Sequence, residues 1–358
     1  MKKLIHIVLY VPALILMFTS CKKSFLNEPD YSSYTPETLK DSLGLNASLV
    51  GLYNLFSNFY TKADRQGWLD VWQAGTDIAY AAQPEGIETP YYQYGLLNSQ
   101  DAAASWTWTW AYQIINNANI IISSVEDPGL TSITQSGKDA MEAEARFFRG
   151  YAYNLLATCF GKVPLVVKPL SAPKTDFTRT SLDSVNNQVT EDLTFAAAHL
   201  PDVGAVGSAN LADGKPAGRA NKYMAMQVLT EAYLRMDKPD LAEQQAQAII
   251  GSGKFALVTQ RYGVRSTEPG DPFSDMFIKG NIRRSQGNSE AIWVLEIEDR
   301  RVVPGGFTGD PQQRRNWGAA YYNIAGLKIC DSLGGRGIAR LRLDNWVLSQ
   351  LYGPNDMR

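Results

Sequence analysis

The stretch that decides the fold is Lys138-Asp-Ala-Met-Glu-Ala-Glu-Ala-Arg-Phe-Phe-Arg-Gly-Tyr-Ala-Tyr-Asn-Leu-Leu-Ala-Thr-Cys-Phe160. Charged side chains occupy its early turns, and apolar ones recur at helical spacing. The apolar face consists of Ala145, Phe148, Ala152, Leu155, Leu156 and Cys159. Gly161 follows directly, and residues 163–167 (Val-Pro-Leu-Val-Val) then favour an extended segment. The pattern predicts one long helix over 138–160, buried along one side.

The same spacing predicts helices on both sides of that segment. Thr35 and Pro36 are typical of a helix start. The apolar stripe that follows them consists of Leu45, Leu49, Leu52, Leu55, Phe56 and Phe59. Asp101 or Ser105 opens a second helix, which runs through residue 122. Beyond residue 160, helices are predicted over 182–200, 215–236 and 239–252.

Two of these helices, over 221–236 and 241–250, form a predicted hairpin. The residues expected to face each other are Ala225, Leu229, Ala232 and Tyr233 on one helix, and Leu241, Ala242, Ala246, Ile249 and Ile250 on the other. Small residues at this spacing allow the two antiparallel helices to pack closely, as in tetratricopeptide units. A plain helical hairpin fits the pair equally well. Beyond residue 255, glycine and proline become frequent, and residues 291–298 alternate like a strand. We therefore predict a mainly α fold: a tetratricopeptide-like helical scaffold with an irregular, loop-rich ligand-facing region and few short strands.

Residues 1–20 have the layout of a secretory signal peptide: two lysines, an apolar run over 4–18 and a small-residue junction at Ser20-Cys21. A helix of that apolar length reaches only about 22 Å, too short for a hydrocarbon core of about 30 Å. Cys21 at the junction resembles the bacterial lipobox, in which the thiol is acylated. An ordinary signal peptide cut near a cysteine is the alternative. Residues 21–34 are polar and turn-rich, as expected of a tether.

Composition excludes several function classes. Two of the 34 basic side chains lie in residues 1–20, so the remainder carries a small negative net charge, and no nucleic-acid partner is expected. Only His199 remains there, which excludes a multi-histidine zinc site; no metal site or cofactor is predicted. His199 precedes Pro201 at a helix end, where it suits the final carbonyls better than catalysis. Cys159 and Cys330 are expected to be buried, and whether they form a disulfide stays open.

Three tryptophans lie within five residues, at Trp106, Trp108 and Trp110. On a helix, Trp106 and Trp110 share a face and Trp108 points away from it. Indole faces suit the C–H groups of sugar rings, so Trp106 and Trp108 are candidate ligand-binding residues. Core packing is the alternative for both, and Trp110 is assigned to the core.

A second candidate lies in a Gly/Pro-rich stretch, where Gln312-Gln-Arg-Arg-Asn-Trp317 precedes two tyrosines. Arg314 and Asn316 could bind sugar hydroxyls, while Trp317 or Tyr322 could stack on a sugar. An ordinary surface loop is the alternative. Asp77, which follows Trp72 closely, is a further candidate as a carboxylate that accepts from a hydroxyl pair.

Two apparent enzyme signatures fail. Gly251-Ser-Gly-Lys254 lacks the spacing of a phosphate-binding loop, and Phe255 stands where such a loop needs Ser or Thr. Glu296 and Glu298 would share one face of the predicted strand, whereas glycosidase carboxylates flank a cleft. No catalytic residues are predicted.

Eight short segments, in order along the chain, resemble the SusD/RagB family of outer-membrane nutrient-binding lipoproteins of Bacteroidetes. The segments are Cys21–Leu26, Trp110–Asn119, Glu142–Tyr153, Phe160–Val166, Gly218–Lys222, Ile249–Phe255, Ser289–Trp293 and Tyr352–Arg358. The resemblance implies one helical domain over residues 35–358, with tetratricopeptide-like helix pairs. It also implies capture of an oligosaccharide or other nutrient, without catalysis or a cofactor, and delivery to a SusC-like TonB-dependent transporter that the lipoprotein closes like a lid.

The implied location is the outer membrane, with the lipid on Cys21 as anchor and the protein facing the cell exterior. Lys22 and Lys23 stand where an acidic cluster often marks surface display, so the leaflet stays open. Family members usually continue beyond the motif that ends at Arg358, so we expect the loop-rich part, residues 255–358, to be incomplete. A lipid-anchored glycoside hydrolase and a tetratricopeptide-like protein-interaction scaffold are the alternative functions. The ligand itself is not specified.

Overall fold

The computed structural model describes residues 41–61, 69–82, 86–170, 172–203, 218–296, 316–353 and 356. The α-helices are α1 (Ser42–Thr61), α2 (Ala102–Val125), α3 (Gln135–Phe160), α4 (Leu182–His199), α5 (Lys222–Arg235), α6 (Pro239–Gly251) and the single turn α7 (Pro272–Asp275). Two short strands, β1 (Ala79–Ala81) and β2 (Leu341–Leu343), pair antiparallel. The 3₁₀ turns are Leu69–Trp72, Thr89–Tyr91, Tyr94–Leu96, Gly263–Arg265, Arg284–Gln286, Tyr321–Asn323 and Asp331–Leu333, and Val347–Leu351 forms a π turn. The predicted mainly α class is confirmed.

Side-chain caps determine where the helices begin. The Asp101 carboxylate accepts from the Ala104 backbone N–H at 2.8 Å, so the predicted start of α2 at Asp101 is confirmed. Thr134 caps α3, which begins earlier than predicted, and Gly161 ends it with φ +67°. The predicted start of the fifth helix at residue 215 is wrong, because Asn221 caps α5 from outside the helix. The predicted start at Thr35 and Pro36, like Cys21, lies outside the described residues.

The long helices pack in chain order, α1 on α2, α2 on α3, and so on to α6, while α1 also contacts α3. This arrangement is typical of helical-repeat scaffolds. The predicted stripe of α1 lies in the core, apart from a partly buried Leu55. In the described part of the chain, no helix is long and apolar enough to span a membrane.

The prediction of buried cysteines is wrong. Cys159 and Cys330 are both exposed free thiols. Cys159 lies in the last turn of α3, where the helix leaves the core, and Cys330 lies in an irregular segment before β2. The apolar face predicted for α3 therefore ends at Leu156.

The α5–α6 hairpin forms, with Asp237 at φ +57° in the connecting turn. All four predicted core residues of α5 are buried, as are Ala242 and Ile249 on α6. Leu241 and Ile250 are exposed instead, because α6 is the last long helix of the stack and only one side of it is covered.

The predicted strand over 291–298 is wrong for its described part. Residues 291–296 join no ladder; instead, the Trp293 indole N–H donates to the Gly218 carbonyl at 2.8 Å. That ring also lies 5.7 Å from Phe56, so the segment covers the helical core rather than forming a sheet edge.

Buried ion pairs connect the helices. Arg219, next to the α5 cap, donates to the Glu144 carboxylate of α3 at 2.6 and 3.0 Å. The Tyr53 hydroxyl of α1 donates to the same carboxylate at 2.9 Å. Burial raises the pKa of Tyr53 well above its usual value, so this hydroxyl remains a donor at neutral pH. Three distant parts of the chain therefore meet at one carboxylate.

Candidate ligand-binding site

The pairing of β1 with β2 brings together two segments that are far apart in sequence. In its register, Ala79 lies opposite Leu343, Tyr80 opposite Arg342 and Ala81 opposite Leu341. Further backbone hydrogen bonds extend the pairing at both ends, from Ala82 N to Arg340 O at 2.7 Å and from Asp344 N to Ile78 O at 2.8 Å. We call this two-stranded unit the ribbon.

A buried ion pair fixes the ribbon to the loop that follows β1. The Arg340 guanidinium donates through Nε and Nη2 to the two carboxylate oxygens of Glu88, each at 3.0 Å. Glu88 is fully buried and Arg340 nearly so. A two-point contact of this kind restricts rotation of both partners, so the ribbon has a defined orientation on its loop.

The outer face of the ribbon combines aromatic rings with a cation. Ala79 and Ala81 point inward and are buried, so Tyr80 and its cross-strand neighbour Arg342 point outward. The Tyr92 ring, 46% exposed, lies 5.9 Å from the Tyr80 ring. Arg342 forms no hydrogen bond or ion pair with the residues described, so its five N–H donors face solvent. We call Tyr80, Tyr92 and Arg342 the ribbon face.

Asp77 lies two residues before β1, and its side chain is exposed. Its backbone carbonyl, rather than its carboxylate, accepts from the Trp346 indole N–H at 2.6 Å. Tyr94 lies in the same segment, 67% exposed, with its hydroxyl 3.4 Å from the Gly75 carbonyl. The predicted carboxylate is therefore exposed, and its oxygens have no partner among the residues described.

The other predicted group, residues 312–322, is divided by the structure. Trp317 is 42% exposed and is joined to the ribbon, because Ala339 N donates to Gly318 O at 2.9 Å. Asn316 is buried, and its side-chain oxygen has no partner among the residues described, so burial removes it from the ligand-facing surface. The Tyr322 hydroxyl donates to Gly337 O at 2.8 Å, which leaves only its ring available. Arg314 lies outside the described residues.

The three tryptophans of α2 lie on two sides of the helix, as the helical spacing predicts. Trp110 is buried, and its indole N–H donates to Leu55 O at 2.9 Å, so its assignment to the core is confirmed. Trp106 stacks on Trp110 with centroids 5.9 Å apart and lies 5.4 Å from Phe59, so core rings cover part of its surface. Trp108 lies on the other side of α2, half-buried, and lines a cavity of about 400 Å³.

The residues with possible catalytic roles have structural partners. The Glu296 carboxylate pairs with the Arg283 guanidinium at 2.9 Å, and Glu298 lies outside the described residues. His199 stacks on Phe195 with ring centroids 4.3 Å apart, and its Nδ1 is 3.9 Å from the Asp139 carboxylate. In the part of the chain that the structure describes, no cluster of three or more His, Cys, Asp or Glu side chains could coordinate a metal.

Sequence reasoning missed the ribbon face. The run Thr89-Pro-Tyr-Tyr-Gln-Tyr94, which has three tyrosines next to a proline, is the signal that could have indicated it. Nothing local marks Arg342, because its role depends on a strand partner more than 250 positions away.

Comparison with known proteins identifies the family. A SusD-like family model, described as starch-binding and associating with the outer membrane, matches residues 24–232. The chain belongs to the SusD-like family.

Similar proteins confirm this fold. A SusD-like protein, P25, of Formosa agariphila is 26% identical over 304 residues, covering 82% of this chain and 52% of that protein. A SusD homolog from Bacteroides thetaiotaomicron superposes with a TM-score of 0.62 at 18% identity, covering 87% of this chain and 56% of that one. A laminarin-binding SusD-like protein superposes with a TM-score of 0.52 at 22% identity, covering 62% and 47%. The chain spans about half the length of these relatives.

Proposed function

We propose that this protein binds oligosaccharide at the outer membrane with the ribbon face and delivers it to a SusC-like TonB-dependent transporter. SusD-like proteins are carbohydrate-binding proteins that associate with the outer membrane. The observation that carries the proposal for this chain is the Tyr80–Tyr92 ring pair, in which Tyr92 is exposed and Tyr80 half-buried, beside the Arg342 guanidinium, which has no partner among the residues described.

The chemistry of the ribbon face matches a sugar. The phenol rings of Tyr80 and Tyr92, inclined to each other by 36°, can offer a platform for the C–H face of a pyranose. A guanidinium at the edge of that platform can donate to two neighbouring hydroxyls at once, and the Asp77 carboxylate can accept from another. The exposed rings of Tyr94 and Trp317 are candidates for contact with further sugar units.

Binding without turnover is part of the proposal. Three carboxylates lie near the ribbon: Glu88 is buried against Arg340, Asp344 accepts from the Trp346 backbone N–H at 3.1 Å, and Asp77 is exposed with no partner for its carboxylate among the residues described. A glycosidase needs two carboxyl groups on opposite sides of the scissile bond. We therefore expect no product release from a bound glycan, which chromatography of a long incubation measures.

Acylation of Cys21 and surface display complete the proposal. A lipid on residue 21, followed by the tether over 21–34, would place the helical scaffold at the membrane surface. Mass spectrometry of the mature amino terminus tests the anchor, and co-purification with a TonB-dependent barrel tests the transporter partner. An unmodified amino terminus contradicts the first, and isolation without any barrel contradicts the second.

Isothermal titration of the full-length protein tests the glycan site. Because a laminarin-binding SusD-like protein is among the similar structures, β-1,3-gluco-oligosaccharides are the first probes, followed by malto-oligosaccharides and peptides. Tyr92→Ala and Arg342→Ala should each weaken binding about tenfold, equal to about 1.4 kcal/mol. Tyr352→Ala, which removes an exposed tyrosine that is not part of the ribbon face, is the matched control and should change nothing. Failure to bind any glycan, or equal affinity in all four proteins, would refute the proposal.

A further inference from the structure

The cavity that Trp108 lines lies against α2 and shares no residue with the ribbon face. It is open to solvent on one side and has a volume of about 400 Å³ between the Trp108 side of α2 and the extended segment that follows α3. Its walls are mainly Trp108, Tyr112, Pro164, Val166, Leu170 and Phe177. We call it the α2 cavity.

Hydrogen bonds fix the wall opposite α2. The Tyr112 hydroxyl donates to Pro164 O at 2.7 Å, and the Asn119 side-chain amide donates to Val166 O at 2.9 Å. The Tyr153 hydroxyl lies 2.7 Å from Val166 N and 2.9 Å from Val166 O, and it bonds to both. The segment cannot close onto α2 without breaking these contacts, so the cavity is preformed.

The interior is unsuited to a bare sugar. The Tyr112 hydroxyl is already bonded to Pro164, and the remaining wall offers carbon atoms and aromatic rings apart from the Asn116 amide. Sugar hydroxyls placed there would lose water without gaining partners. An aromatic ring has no such requirement, and an apolar cavity of roughly 150 Å³ already accommodates benzene. Volume and chemistry both favour an aryl group.

The surface next to the α2 cavity has the opposite character. A depression of about 320 Å³ is lined by Thr109, Tyr112, Gln113, Asn116 and Asn117, and it shares Tyr112 and Asn116 with the cavity. We call Gln113, Asn116 and Asn117 the amide row. All three are exposed, and each carboxamide both donates and accepts, as sugar hydroxyls require. Neither the cavity nor the depression is lined by a charged side chain.

We propose that the α2 cavity and the amide row form a second ligand site, for a neutral saccharide that carries an aryl group. The aryl group enters the cavity beside Trp108, and the attached sugar lies on the amide row. Phe177, exposed at the rim, covers the aryl ring. The site goes beyond the proposed glycan site, and its test involves different residues and different probes.

Titration of the full-length protein with p-nitrophenyl β-glucoside, methyl β-glucoside and p-nitrophenol tests the proposal. The aryl glucoside should bind at least tenfold more tightly than either the methyl glucoside or the free phenol, because only the aryl glucoside occupies both parts of the site. Phe177→Ala and Asn116→Ala should each weaken aryl glucoside binding at least fivefold. Both positions are exposed, so the variants should fold.

Two controls separate this site from the rest of the surface. Phe277→Ala removes another exposed phenylalanine, remote in sequence from the α2 cavity, and should leave aryl glucoside binding unchanged. Tyr92→Ala should also leave it unchanged, whereas it weakens oligosaccharide binding at the ribbon face. Equal binding of the aryl and methyl glucosides, or unchanged binding in both Phe177→Ala and Asn116→Ala, would overturn the proposal. Binding of p-nitrophenol as tight as that of its glucoside would overturn the role of the amide row.

Discussion

Replacement of Arg149 by methionine tests whether the buried ion pairs determine the stability of the scaffold. The Arg149 guanidinium donates to both carboxylate oxygens of Asp192, at 2.8 and 2.7 Å. It also donates to Asn119 at 2.9 Å and to Val167 O at 3.3 Å. One side chain therefore connects α3 with α2, with α4 and with the wall of the α2 cavity.

The size of the effect follows from burial. Arg149 is 3% exposed and Asp192 is 0% exposed, so the variant leaves a carboxylate with little access to water. Breaking a buried pair on one side costs about 3–5 kcal/mol. The Gln188 amide at 3.1 Å and the Arg146 guanidinium at 3.6 Å remain near Asp192, so we expect about 3 kcal/mol, at the lower end of that range.

The loss should depend on pH. Desolvation already raises the pKa of Asp192 above its usual value, against the lowering effect of Arg149. Without Arg149, the folded-state pKa rises further above that of the unfolded chain. At a pH between the unfolded-state pKa and the folded-state pKa of Asp192, the folded protein binds a proton that the unfolded chain does not bind. The free energy of unfolding therefore falls as the pH rises through this range. The deficit of the variant should be smaller at pH 5 than at pH 7.5.

Urea unfolding followed by circular dichroism at both pH values provides the measurement. Arg265→Met is the control: its guanidinium is exposed and lies 3.8 Å from the exposed Glu268 carboxylate, so its removal should cost less than about 1 kcal/mol. The double variant Arg149→Met/Asp192→Leu should recover most of the loss, because neither charge remains buried. A deficit below about 1 kcal/mol for Arg149→Met, or no recovery in the double variant, would refute the reasoning.

Two further predictions concern α3. At Gly150 a Cβ atom would lie 2.9 Å from Leu193 Cγ, so Gly150→Ala should push α3 from α4 and destabilise the fold by about 1–3 kcal/mol. The matched control is Gly51→Ala, where an added Cβ meets nothing within 4 Å, so the stability of the fold should rise by about 0.5–1 kcal/mol. Thermal melts measure both variants, and melting temperatures that shift in the same direction would contradict the close approach of α3 to α4 at Gly150. Although Cys159 is exposed as a residue, partial desolvation of its sulfur raises the pKa of the thiol to about 11. At pH 8, iodoacetamide should therefore modify Cys159 about two-hundredfold more slowly in the folded protein than in guanidinium, since the unfolded thiol has a pKa of about 8.5. Peptide mass spectrometry measures both rates, and equal rates would contradict the raised pKa of the thiol.

The helices were predictable because their signals are local. Asp101 begins α2 through its side chain, and Gly161 ends α3 through its backbone conformation. The apolar stripe of α1 predicts which side of that helix is buried. The division of Trp106 from Trp108 also follows from helical spacing. Helical spacing does not show which of these two tryptophans lines a cavity, because that depends on α1 and on the segment after α3.

The candidate site could be predicted only in part. Asp77 and Trp317 lie near the ribbon, but Tyr92 and Arg342 acquire their positions from a contact between remote segments. Buried Asn316 shows the opposite failure, because a polar residue in a glycine-rich stretch resembles a surface residue until the surrounding chain covers it. Glu144 and Arg149 are a similar case: charged residues on a helix usually indicate a solvent-exposed face, but these two lie in the core.

The ribbon has a consequence for the order of assembly. Glu88 and Arg340 are 252 positions apart, and closing a free loop of that length costs about 5 kcal/mol of chain entropy. The helices α1–α6 pack mainly on near neighbours along the chain, so they can form first and shorten the distance that remains. If the ribbon face is the ligand site proposed above, it would then form last, after the helical framework that supports it has already folded.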